Sequence, residues 1–309
     1  MTTAKPDVGA HVIGAPASRA LASIMVHVDW NAGSDERIRL AANLSDRFGA
    51  VLIGVAGRER AALAHAELEQ PEKRLKWIRA ELDRLGERFR EVAGITALPT
   101  EWRGSFNFPR EVIAREARAA DLVVIGSRPA ADDVLHSFDP GEVLLAAGRP
   151  VLIAPQGHAA LSARRILIAW KDTREARRAV QSALPFLQRA EHVTLVEVAE
   201  DLLEAQAQAH LADVEAYLGR HGVKVGVKAV LNPHGAIAHQ LTTAAADNGA
   251  DLIVAGAYGH TRWVSGFSAA RPAGSSTPPN CALCSQPDIS RSRRKRLCSL
   301  ARPPQRFSR

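Results

Sequence analysis

Residues 251–262 read DLIVAGAYGHTR. The apolar run from Leu252 to Ala255 is short and rich in branched side chains, so a buried strand is expected there. The strand feeds Gly256, and Gly259 follows at Gly-x-x-Gly spacing. Such glycines let a backbone approach a ligand closely. A helix placed just after them would offer unpaired N–H groups and its positive dipole end to a phosphate. No helical period follows here. From Trp263 onward the text is rich in Ser, Pro and Arg and carries no period of either kind.

The stretch has a counterpart. ADLIVAG at 250–256 matches ADLVVIG at 120–126 in five of seven positions, 130 residues away. The elements around the two copies also run in the same order. SIMVHVD, VLIGVAG, LPTEWRG, DLVVIGS and PVLIAP are the strands of the first half, with helix-period segments between them. RRILIAW, HVTLVEVAE, VKVGVKAVL and DLIVAG are those of the second. Strands that are apolar throughout and alternate with amphipathic helices imply a parallel sheet covered on both faces. A repeat of this length with a shared element order reads as a tandem duplication.

The chain has 309 residues, enough for two ordinary domains, and its formal charge is +7. That charge is local. Residues 264–309 hold eight Arg and one Lys against one acid, Asp288. Of 40 bases and 33 acids in the whole chain, 31 and 32 are therefore left for the other 263 residues. The body is neutral to slightly acidic, which argues against a nucleic-acid-binding body. RSRRKR at 291–296 lacks interleaved aromatics, so only nonspecific, salt-sensitive contact with nucleic acid is expected of it. No run approaches the ~18 apolar residues of a membrane span, and residues 1–20 read as a disordered leader. All three cysteines lie in the tail. CALC at 281–284, even with Cys298, falls short of the four ligands of a structural zinc site. No metal site and no catalytic residue is assigned. The expected compartment is the cytoplasm.

Asp29 after the first strand, REVIAREARAADLVVIGS in the first half and GADLIVAGAYGHTR in the second resemble the universal stress protein family, as two domains in tandem. The resemblance covers roughly residues 20–262. It implies two flavodoxin-like, three-layer α/β units (adenine-nucleotide alpha-hydrolase-like) with sites at the carboxyl ends of the strands. Many members of that family bind ATP, and their pattern is Gly-x-x-Gly, nine residues, then Gly-Ser or Gly-Thr opening the last helix. Carried onto this chain, the resemblance implies Gly256, Gly259, Val198, His260 and Lys171 as nucleotide-site residues of the second unit. In the first unit it implies Asp29, Val55 and Gly126. The first copy departs from the pattern, with Pro129 at the second glycine and Asp139-Pro140 at Gly-Ser. An acid repels phosphate and proline removes a donor, so this copy is expected not to bind. In the second copy Lys171 replaces the strand-end Asp, and Ala269-Ala270 stand where Gly-Ser should be.

One lost base after the Arg262 codon would explain both the missing motif and the unusual tail. Restoring it turns WVSGFSAA into Leu-Gly-Val-Gly-Val-Leu-Gly-Gly-Ala, at the family spacing. The expected organisation is therefore a leader at 1–20, a first unit at 21–157, and a second at 162–263 that lacks its last helix and strand. A disordered basic tail follows at 264–309. The missing strand should leave an open sheet edge and poor solubility. The family's last strand commonly makes a dimer contact, so a homodimer or an internal pseudo-dimer is expected, with protein partners unknown. The functional expectation is an ATP-binding stress-response protein that is not an enzyme, slow ATP hydrolysis apart. The alternative is a regulatory module that binds no nucleotide.

Overall fold

The computed structural model describes residues 20–31, 33–58, 71–127, 138–198, 204–231, 237–256 and 281–285. The first unit runs β1 (Ser23–His27), α1 (Ser34–Phe48), β2 (Val51–Gly57), α2 (Pro71–Ala93) and β3 (Thr100–Ser105). It continues with α3 (Pro109–Glu116), β4 (Leu122–Gly126), α4 (Pro140–Ala146) and β5 (Val151–Ala154). The second runs β6 (Arg165–Trp170), α5 (Arg174–Leu187), β7 (His192–Val198), α6 (Glu204–Arg220) and β8 (Val227–Leu231). It closes with α7 (Ile237–Asp247), β9 (Leu252–Gly256) and β10 (Cys281–Ser285).

Each unit is a parallel sheet with the switch point at its first strand. β1 pairs β2 on one side and β4 on the other, and β6 does the same with β7 and β9. The matching letters have matching jobs. Asp121 accepts hydrogen bonds from the backbone N–H groups of Ala22 and Ser23, at 2.8 and 3.0 Å. Asp251 accepts from those of Arg164 and Arg165, at 3.1 and 3.2 Å. In both units a carboxylate before the fourth strand satisfies amides at the entrance of the first.

Helices α1, α2, α5 and α6 cover one face of the sheet over a single apolar core. Helices α3 and α4 cover the other face in the first unit, and α7 does so in the second. Leu82, Leu85 and Phe89 make the inward stripe of α2 at three- and four-residue spacing. The units meet along α1, α5 and the segment before β6. Phe48 and Phe186 pack edge to face at 5.1 Å, Arg189 stacks over Phe48 at 4.2 Å, and Leu161 and Ala163 are buried. Among the described residues, no helix is long and apolar enough to cross a membrane.

The tail brings a correction. An open edge was expected beside β9, yet residues 281–285 form β10 there. It runs parallel to β9 from Cys281↔Leu252 to Ser285↔Gly256 and antiparallel to β5 over Ala282↔Ile153 to Cys284↔Val151. Ten strands thus form one sheet in the order β3-β2-β1-β4-β5-β10-β9-β6-β7-β8. The physical reason is the edge itself: β5 and β9 each present a row of backbone donors and acceptors, and any extended segment able to pair with both satisfies them. The expectation of poor solubility loses that basis. The rest of the presumed disordered tail, and the leader before Ala20, lie outside the described residues.

Candidate functional site

In the first unit, the carboxyl ends of β1 and β4 meet the start of α1. Arg37 of α1 is 5% exposed and reaches back under the strand ends. Its Nε donates to the carbonyl of His27 at 2.8 Å, and its Nη2 lies 3.1 Å from Asp29 Oδ1. Asp29 Oδ1 also accepts from the Asn31 amide at 3.1 Å, and the Asp29 amide donates to Ser34 Oγ at 3.2 Å. A Cβ on Gly126 would stand 2.5 Å from Arg37 Nη1. The guanidinium therefore occupies the space that the glycine leaves. At the next helix, Asp139 Oδ1 accepts from the Gly141 amide at 2.9 Å, so α4 is capped by its own carboxylate, and Pro140 brings no N–H. This end of the first unit is filled and capped from within.

Burial alone would raise the Asp29 carboxyl, but Arg37 above all, with His27 and the Asn31 amide, holds it below its usual value. Burial pushes His27 down to about 4; Asp29 opposes this, and Arg37 and Arg58 add to it. His27 is thus neutral at pH 7, and its 3.4 Å approach to Asp29 is no ion pair there. Its ring instead packs edge-on against Phe138 at 5.0 Å. The consequence is acid sensitivity. Unfolded chains take up the His27 proton below pH ~6.5, whereas the fold refuses it until about pH 4. Stability is therefore lost as pH falls across that window, by about 3 kcal/mol at most. Urea midpoints measured between pH 7.5 and 4 should fall less steeply in His27→Leu than in the parent protein. Equal slopes would place the proton elsewhere.

The second unit is built differently at the same place. By register Lys171 replaces Asp29, and its side chain is exposed. Asp172 pairs with Arg177, and Thr173 Oγ1 accepts from the Ala176 amide at 3.2 Å, capping α5. A Cβ on Gly256 would stand 2.4 Å from the Ala176 nitrogen and 2.7 Å from the Glu175 carbonyl carbon. Gly256 is thus required where the first turn of α5 presses on the end of β9.

No protein-family model and no curated protein matches the chain. Solved structures do. A universal stress protein from Archaeoglobus fulgidus DSM 4304 superposes with a TM-score of 0.62 at 17% identity, covering 88% of this chain and 98% of that one. The fold is that of the universal stress proteins. A functionally unknown protein from Pseudomonas aeruginosa PAO1 also matches, with a TM-score of 0.50 at 17% identity, over 91% of this chain and 98% of its own.

On this universal stress protein fold the remaining candidates are scattered. Gly259 and His260 lie outside the described residues, as does Pro129. Val198 ends β7, and its backbone pairs with Leu231. Val55 sits opposite His27 within β2, its side chain buried with Val112 and Ile113. The register makes Val196, not Val198, the counterpart of Val55. Trp30 and Trp170 each stand near the end of their unit's first strand in sequence, yet they are not equivalent, because the register puts Trp170 at the place of Val28. Trp30 is exposed, donates to Glu81 at 2.8 Å and lies under Arg88, whereas Trp170 is buried.

One feature of the second unit was not anticipated. A cleft of about 600 Å³ opens between α5 and α6, lined by Trp170, Arg177, Gln181, His210, Asp213 and Tyr217 among others. Beneath His210 lies Glu197, 1% exposed, its Oε1 3.3 Å from His210 Nδ1. Burial raises the Glu197 carboxyl, while His210 partly offsets this. The signal in the sequence was a break in pattern. Val193, Leu195 and Glu197 alternate along β7, and a carboxylate stands where the inward row calls for a third aliphatic residue.

Proposed function

We propose that the chain is a duplicated universal stress protein that binds one adenine nucleotide, through the strand-end loop of its second unit. The observation that carries this reading is the contrast between the two ends. Arg37 and Asp139 fill and cap the first, whereas in the second the place of Asp29 is taken by Lys171, exposed at the surface. Lys171 would supply charge to the phosphates, and the Gly-x-x-Gly sequence that begins at Gly256 would supply backbone amides. No catalytic base accompanies them in this reading, so the nucleotide acts as a ligand and not as a substrate. The two units, sharing one sheet through β5 and β10, act as an internal pseudo-dimer.

Calorimetric titration with ATP tests the proposal. One site per chain is expected, with affinity reduced about tenfold in Lys171→Ala, the scale of one lost charge contact of about 1.4 kcal/mol. Absence of binding below millimolar ATP would overturn it. A specific observation supports the second reading, a regulatory module without nucleotide. The close packing of α5 on Gly256 accounts for that glycine with no ligand at all.

A further inference from the structure

Trp170 and Glu197 are partners in the β6–β7 register, so their side chains stand side by side on the sheet face that α5 and α6 cover. Trp170 Nε1, a donor, and Glu197 Oε2, an acceptor, are both buried without a hydrogen-bond partner. Buried polar groups are nearly always paired. Two adjacent orphans of opposite kind therefore call for one partner that accepts from the first and donates to the second. Trp170 also forms part of the wall of the α5–α6 cleft, and the cleft's volume of about 600 Å³ is that of a small-molecule site. Val180, Val214 and Tyr217 add apolar and aromatic surface to its lining, and Gln181 and Asp213 add polar groups.

We propose that this cleft binds a planar, amino-substituted nitrogen heterocycle, whose ring nitrogen accepts from Trp170 Nε1 and whose amino group donates to Glu197 Oε2. The His210 side chain is 30% exposed and hydrogen-bonds Glu197, so it stands between the cleft and the carboxylate. Rotation of this imidazole uncovers the paired edge, and the ring of the ligand takes its place beside Trp170. The site lies between α5 and α6 and uses neither Gly256 nor Lys171, so it is independent of the nucleotide proposal.

The test uses the full chain and 2-aminobenzimidazole as probe. Five tryptophans give five indole N–H resonances in the 15N-labelled protein, and the Trp170→Phe spectrum assigns one of them. That resonance is expected to move and saturate with submillimolar probe. Benzimidazole, which lacks the amino group, should bind at least about tenfold more weakly, as should the probe to Glu197→Gln. An unmoved Trp170 resonance at millimolar probe overturns the proposal, and leaves a buried water as the partner of the two orphans. Equal binding of the two compounds overturns it as well. The comparison of the two compounds is read on the unaltered protein, so that outcome stands even where the Trp170→Phe variant fails to fold. Adenine is itself such a heterocycle, so the ATP titration is read together with the Trp170 resonance: ATP that binds without moving it occupies the strand-end site and not the cleft.

Discussion

Arg37→Leu will destabilise the protein by about 3–5 kcal/mol, the cost of leaving a buried charge without its partner. Asp29 is 8% exposed, and its carboxylate depends on the Arg37 guanidinium 3.1 Å away. Leucine fills part of the volume beneath Gly126 but offers the carboxylate no donor. The double variant Asp29→Leu/Arg37→Leu should recover much of the loss, because an apolar pair of similar volume needs no pairing. Urea unfolding at pH 7 measures both. A shift below about 1 kcal/mol in the single variant would mean that Asp29 finds water, and that the first unit's end is open after all.

Gly256→Ala will cost about 3 kcal/mol or more, at or beyond the upper range of overpacking. The added Cβ would meet the Ala176 nitrogen at 2.4 Å, and its nearest neighbours are all α5 backbone, with no flexible chain end to move aside. Either α5 must shift along the sheet or β9 must bend, and each disturbs the core that the two units share. Gly219 in α6 provides the control. A Cβ there meets nothing within 4 Å, so Gly219→Ala should stabilise by about 0.5–1 kcal/mol through helix propensity. Thermal or urea unfolding of the two variants should therefore move in opposite directions. A neutral Gly256→Ala would show that α5 is not seated as described. Because the substitution disturbs packing first, lost ATP binding in this variant would not by itself assign Gly256 to a phosphate.

Alternation of apolar runs with helix-period segments was enough to place nearly every described element. The pattern is local, set by which side chains each strand and helix must bury, and so it survives in the letters. DLVVIG and DLIVAG announce two equivalent strands, and their Asp residues prove to cap equivalent first strands. The site was less legible. Gly126 and Gly256 look identical in sequence, yet one makes room for the side chain of Arg37, 89 residues earlier in the chain, and the other for a helix backbone. Which atoms fill a glycine's missing Cβ depends on long-range packing, which spacing does not encode. Glu197 was visible as an interruption in an apolar row, but its pairing with His210 joins two elements whose approach only the fold sets.

What the sequence determined by itself is the repeated α/β order, the parallel sheets and the confinement of net positive charge to the tail, since each follows from the periodicity or composition of contiguous residues. Tertiary structure alone decided three further things: that β10 closes the sheet between β5 and β9, that Arg37 plugs the first strand end, and that Trp170 and Glu197 share an unpaired edge. Each of these joins residues distant along the chain, and backbone edges, buried charges and orphaned donors find their partners through space.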